Sequence, residues 1–158
     1  MRLGIAQILK EADSLPTRQS KIDFLREHSS NQLIDCLRFA YDPFLKVLLP
    51  PGKVPYKCDD TIDDMALFRE SRRLYLFVEG GHPNLKQSKR EGLFIQMMQY
   101  LNKEEGALLE AMKDRRLPYE TITPDLVNEA FPGILSLELA AETKVEEAPP
   151  VKKGKDKK

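Results

Sequence analysis

Residues 31–41 read NQLIDCLRFAY, with Leu33, Ile34, Leu37, Ala40 and Tyr41 at i, i+1, i+4, i+7 and i+8. That spacing puts five apolar side chains on one face of a 3.6-residue helix, so the segment predicts a helix packed against a core. The same period recurs on both sides of it. Ile5, Ile8, Leu9 and Ala12 mark a first helix that ends before Pro16, and Thr17 can cap a second one carrying Ile22, Phe24 and Leu25. Asp42-Pro43 has the cap-then-proline order that favours another short helix. Residues 50–58, PPGKVPYKC, hold three prolines and a glycine and read as a loop.

Further along, Leu67, Leu74, Phe77 and Val78 predict a helix stopped by Gly80-Gly81. Asn84 is the expected cap of the next, which turns Leu93, Met97, Tyr100 and Leu101 inward. A helix with Leu108, Leu109 and Met112 follows. Thr123-Pro124-Asp125 then starts a last helix, anchored by Leu126, Val127, Ala130 and Phe131 and ended by Pro132-Gly133. No run alternates with period two, so the chain is expected to be all-α, a single domain of seven or eight helices over 1–141. From Glu142 the composition turns to Glu, Pro, Gly and Lys, which cannot bury a core. Residues 142–158 are therefore expected to form a disordered, lysine-rich tail.

Composition bounds the function. Of 158 residues, 41% are apolar, enough for a core without a metal or disulfide staple. Charged residues make up 32% and balance to zero, so any nucleic-acid surface must be a local patch rather than the whole molecule. Residues 3–9, LGIAQIL, are too short for a secretory signal. The uncharged run at 92–102 is too short to span a bilayer. A cytoplasmic location, the host cytoplasm for a phage-encoded protein, with Cys36 and Cys58 as free thiols, is the expectation.

Catalytic patterns are scarce. The chain has no phosphate-binding Gly-x-x-x-x-Gly-Lys-Ser/Thr loop, no Gly-x-Gly-x-x-Gly and no Lys-x-Asp-Gly. His28 and His82 have no Cys or His at metal-ligand spacing and read as structural. Asp59, Asp60, Asp63 and Asp64 fit no calcium loop and read as an acidic lead-in to a helix. Neither enzyme activity nor a cofactor is expected.

The cations are more informative. Between 69 and 90 there are six Lys/Arg against two acids, a local +4. Arg69, Arg72 and Arg73 fall at i, i+3 and i+4, opposite the apolar face of their expected helix. Lys86, Lys89 and Arg90 repeat the spacing at the start of the next helix, where cations around free N–H groups can hold a phosphate. Lys113, Arg115 and Arg116 form a third cluster. A charge stripe is also what an ordinary solvated helix face looks like, and both readings stand at this point.

Three blocks then carry a resemblance. LLEAMKDRRLPYETITPDLVNEAFPGIL (108–135) resembles the last helices of the N-terminal helical DNA-binding domain of ATP-dependent DNA ligases, particularly of T-even phages. There, basic residues and a leucine precede a turn, and a short helix closes on Asn, an aromatic, Pro and Gly. Arg115, Arg116, Leu117, Asn128, Phe131, Pro132 and Gly133 match that order. LPTRQSKIDFLREHSSNQLIDCLRFAYDP (15–43) resembles the opening of that domain, and KQSKREGLFIQMMQYLNKEEGALLEAM (86–112) falls between the two. The chain also resembles a family of small uncharacterised proteins from T-even-like myoviruses, including cyanophages.

The resemblance implies a non-catalytic phage protein that grips duplex DNA, nicked DNA included, through phosphate contacts. It would serve replication, repair or recombination, with a phage protein of those processes as a further partner. Two departures limit it. The turn carries Pro118-Tyr119-Glu120 where the family has glycine after leucine, and without Lys-x-Asp-Gly no sealing chemistry is implied. The rival expectation is a protein-interaction adaptor or virion component without DNA affinity.

Overall fold

The structure is a computed structural model that describes residues 3–55, 57 and 59–135. Cys58, the end of the expected domain and the expected tail lie outside the described residues. Within them the fold is all-α: α1 (Ile5–Ser14), α2 (Arg18–Glu27), α3 (Asn31–Tyr41), α4 (Ala66–Glu70), a 3-10 helix (Ser71–Phe77), α5 (Gln87–Gln99), α6 (Lys103–Lys113) and α7 (Pro124–Ala130). Helix α3 packs on α6 and on the 3-10 helix, while α1 packs on α2 and α6, and α2 on α7.

Local chemistry sets most of the helix starts. Thr17, Ser30, Asn102 and Thr123 each accept a backbone N–H from the residue three positions on, satisfying donors that the first turn leaves free. Pro124 occupies the first position of α7, where its missing N–H costs nothing. Leu33, Leu37 and Ala40 are buried as expected, together with Cys36 and Phe39, whereas Ile34 and Tyr41 lie at the edge of the core. Tyr41 instead turns its hydroxyl to the Ile122 carbonyl at 2.6 Å, tying α3 to the approach of α7. Phe131 is likewise only partly buried, so Leu126, Val127 and Ala130 do the anchoring of α7.

Two expected elements differ. Asp42-Pro43 starts a turn and not a helix. The Asp42 carboxylate takes the Phe44 N–H, and the chain then runs antiparallel to 77–79, with Leu48 donating to the Phe77 carbonyl and Glu79 to that of Lys46. Backbone groups committed to that bridge cannot also close helical turns. The second difference is the 3-10 geometry at 71–77. Ser71, Leu74 and Phe77 are all buried, a spacing of three that forms one straight stripe at three residues per turn. Phe77 meets Phe94 of α5 edge-to-face, with ring centroids 5.1 Å apart.

The helix expected to run to Gly80-Gly81 stops at Phe77 instead, where Val78 turns extended into the bridge, and Gly80-Gly81 makes the turn that follows for two separate reasons. Gly80 adopts φ +85°, a conformation costly for other residues, and a β-carbon on Gly81 would sit 1.9 Å from the Tyr75 carbonyl oxygen. The following helix is not capped by Asn84. Lys86 occupies the cap position of α5, and its side chain satisfies none of the free N–H groups there. Tyr100, expected inward, is 48% exposed because α5 ends one residue before it.

Candidate nucleic-acid interface

The nine candidate cations part into three kinds. Lys113 and Arg90 are buried and Arg115 is half-buried, and all three spend their N–H groups on the fold. The Lys113 side chain is 1% exposed, and its ammonium donates to the carbonyls of Pro50 (2.8 Å) and Gly52 (2.9 Å) and to the Asp114 carboxylate (2.7 Å). With Glu110 accepting the Val54 N–H and Asp114 the Gly52 N–H, the end of α6 latches the proline-rich loop. Arg115 sits at φ 66° and donates to the carbonyls of Leu45 and Asp42, fixing the turn after α3. Burial pulls its guanidinium below the ordinary arginine range. Sequence clustering of Lys113, Arg115 and Arg116 therefore misplaces two of the three, because backbone carbonyls from distant segments claim them.

Arg90 is 5% exposed and donates from Nε to the Leu76 carbonyl (3.0 Å), from one terminal nitrogen to Gln87 (2.7 Å) and from the other to the His82 carbonyl (3.4 Å). It rivets the first turn of α5 to the end of the 3-10 helix. The expected Lys86–Lys89–Arg90 stripe thus loses its third member to the interior.

Arg69 and Arg73 are ion-paired, to Asp63 at 3.2 Å and to Glu70 at 3.0 Å. The first pair is exposed on both sides and is worth about 0–1 kcal/mol, so an anion can replace Asp63 at little cost. Arg73 is half-buried and turned away from Arg72. That separation follows from the 3-10 geometry, which aligns Arg72 with Tyr75 rather than with Arg73. Arg72, Lys86, Lys89 and Arg116 are exposed, and among the described residues none of their side chains makes a hydrogen bond or ion pair.

Between α3 and the α4/3-10 segment runs a trough formed by two clefts of about 510 and 220 Å³ that share Asp35, Ser71 and Arg72. Arg69 and Arg72 line one end, and Arg38, Arg72 and Tyr75 the other. Arg38 and Tyr75 were not identifiable from sequence spacing; Arg38 lies on the outward side of α3, and only the packing of two distant segments makes it a neighbour of Arg72. Acids offset these charges. Asp35 is in the wall, and Asp42 pairs with Arg38 at 3.6 Å. Partial burial raises the Asp35 carboxyl, and Arg38 pulls it back.

The acidic 59–64 segment is structural. Asp60 accepts the Lys103 N–H at the start of α6, Asp63 accepts the Met65 N–H before α4, and Asp64 takes the side-chain amides of Gln7 and Asn102. Among the described residues no group of three or more His, Cys, Asp or Glu could hold a metal. His28 packs against Phe24 with centroids 4.4 Å apart and the rings tilted by 42°. Cys36 is fully buried, and burial pushes its thiol far up, so it is inert. Among the described residues no helix is long and apolar enough to cross a membrane.

No curated protein and no solved structure shows a significant match to the chain. A family profile does match, over residues 8–119, from the middle of α1 through α6 and into the turn before α7, and so takes in the trough and the Arg90 rivet. The chain accordingly belongs to the Family of unknown function (DUF6433).

Proposed function

We propose that this protein is a non-catalytic DNA-binding protein of the ligase N-terminal-domain type, phage-encoded and accessory to replication, repair or recombination. It grips duplex DNA by its phosphates without reading sequence. The observation that carries this reading is the Arg90 rivet. It fixes the 3-10 helix bearing Arg72 to the uncapped N-terminus of α5, where Lys86 and Lys89 are exposed. Three cations without an ion pair among the described residues thereby sit on one rigid unit beside a helix start that no side chain caps, a setting in which a backbone phosphate can be held. The order of the three ligase-like blocks along the chain supports it further. Arg116 lies on a different turn and adds a contact only to a ligand that wraps around α6.

A second reading, a protein-interaction module without DNA affinity, draws on the balanced net charge and on Phe44, which is 56% exposed. A salt titration separates the two. Duplex affinity is expected to fall with a log–log slope of about −0.9 per phosphate neutralised, and three to five contacts match the exposed cations. Arg72→Ala is expected to weaken binding and reduce that slope by about one unit, leaving thermal unfolding unchanged. Binding that ignores salt, or no binding to duplex at low salt, would favour the interaction module.

A further inference from the structure

We infer that the smaller cleft of the trough, about 220 Å³ between α3 and the 3-10 helix, receives one unpaired nucleobase, with Arg38 and Arg72 on the flanking phosphates. This rests on the DNA-binding reading and names the structure it prefers, a duplex with a single-stranded gap. The cleft is smaller than the roughly 300–1,000 Å³ of sites for drug-sized molecules and suits a single flat ring system. Phe39 and Leu74 line it with apolar surface. Tyr75 stands on its rim 52% exposed, with no hydrogen bond to its hydroxyl among the described residues, and so leaves an aromatic face free for stacking.

The charge pattern argues for a base and against a phosphate in the cleft itself. Asp35 in its wall repels an anion, whereas a carboxylate accepts hydrogen bonds from the amino and ring N–H groups of a base edge. Arg38 and Arg72 border the same space and can meet the backbone on either side of the base. The three-residue repeat of the 3-10 helix sets Arg72 and Tyr75 one turn apart on the same stripe. Cation and aromatic platform then alternate as successive phosphates and bases do. A paired base cannot enter, since its edge and both faces are already occupied.

The test titrates the full-length protein against an intact duplex and the same duplex carrying a short single-stranded gap. Wild type, Tyr75→Ala and Tyr75→Phe are compared, with urea unfolding as the control for folding. The expected result is tighter binding of the gapped duplex by wild type. Tyr75→Ala is expected to lose on the order of tenfold to a hundredfold on the gapped duplex and little on the intact one, and Tyr75→Phe to keep the preference, because stacking needs the ring alone. Equal affinity for both duplexes, or a loss on Tyr75→Ala that is the same for both, overturns the base site and leaves phosphate binding standing. Failure to bind either duplex at low salt removes the DNA-binding reading and this inference with it.

Discussion

Replacing Lys113 by alanine is expected to lower the stability of the fold by about 1–3 kcal/mol, the cost of losing a buried ammonium bonded to two carbonyls and to a partly exposed carboxylate. The substitution strips hydrogen bonds from the Pro50 and Gly52 carbonyls and leaves Asp114 without its neighbour. The proline-rich loop loses its latch, and the apolar side chains of Leu49 and Val54 that pack against the core lose their hold. Arg116→Ala, three residues on, removes an exposed side chain that makes no hydrogen bond among the described residues and is expected to stay within about 0.5 kcal/mol of wild type. Urea unfolding of both variants checks the contrast. An unchanged midpoint for Lys113→Ala would mean that the loop and α6 are not coupled as described.

Glu105 carries the second large effect. It is 1% exposed, and Oε1 accepts the Leu67 N–H at 3.0 Å, capping α4 from α6, while Oε2 has no hydrogen-bond partner among the described residues. Burial dominates and pushes its carboxyl up to about 8; Asp64 and Asp63 add to the rise, and the Leu67 N–H and Arg69 oppose it. The unfolded chain releases this proton near 4.5, the folded chain near 8. Between those values the folded state holds the extra proton, so stability is greatest at the acid end and declines as pH rises. The decline approaches about 1.4 kcal/mol per pH unit in mid-window and levels off above about 8. Asp59 and Asp114, both held below their ordinary range, titrate on the acid side of this window.

Glu105→Gln keeps an oxygen for the Leu67 N–H and cannot ionise. Its unfolding free energy is expected to stay nearly flat from pH 5 to 8, crossing above that of wild type at the alkaline end. Denaturant melts of the two proteins across this range provide the measurement. Parallel curves would show that Glu105 binds no extra proton in the folded state, so that its carboxyl is not raised by burial.

The fate of the cationic clusters shows where sequence reading stops. Arg69, Arg72 and Arg73 share a face only if the helix has 3.6 residues per turn. At three per turn, Arg72 joins Tyr75 and Arg73 turns to Glu70. The buried stripe of Ser71, Leu74 and Phe77 was readable in principle, but a serine does not announce itself as a core residue. Lys113 and Arg115 look like any solvent-facing cations, since nothing local says that carbonyls more than sixty residues away will accept their protons.

What the sequence determined by itself is the all-α class, the starts of α2 and α7, and the turn at Gly80-Gly81. These depend on interactions within one turn of chain, between a capping oxygen and an N–H three residues on, or an apolar stripe and its own period. Only the tertiary structure decided that the segment after α3 would bridge to 77–79, that the segment 71–77 would tighten to a 3-10 helix, and which cations stay outside. Each of these is a competition for backbone groups or for solvent between segments far apart in sequence. A buried carbonyl takes whichever donor the packing brings within 3 Å.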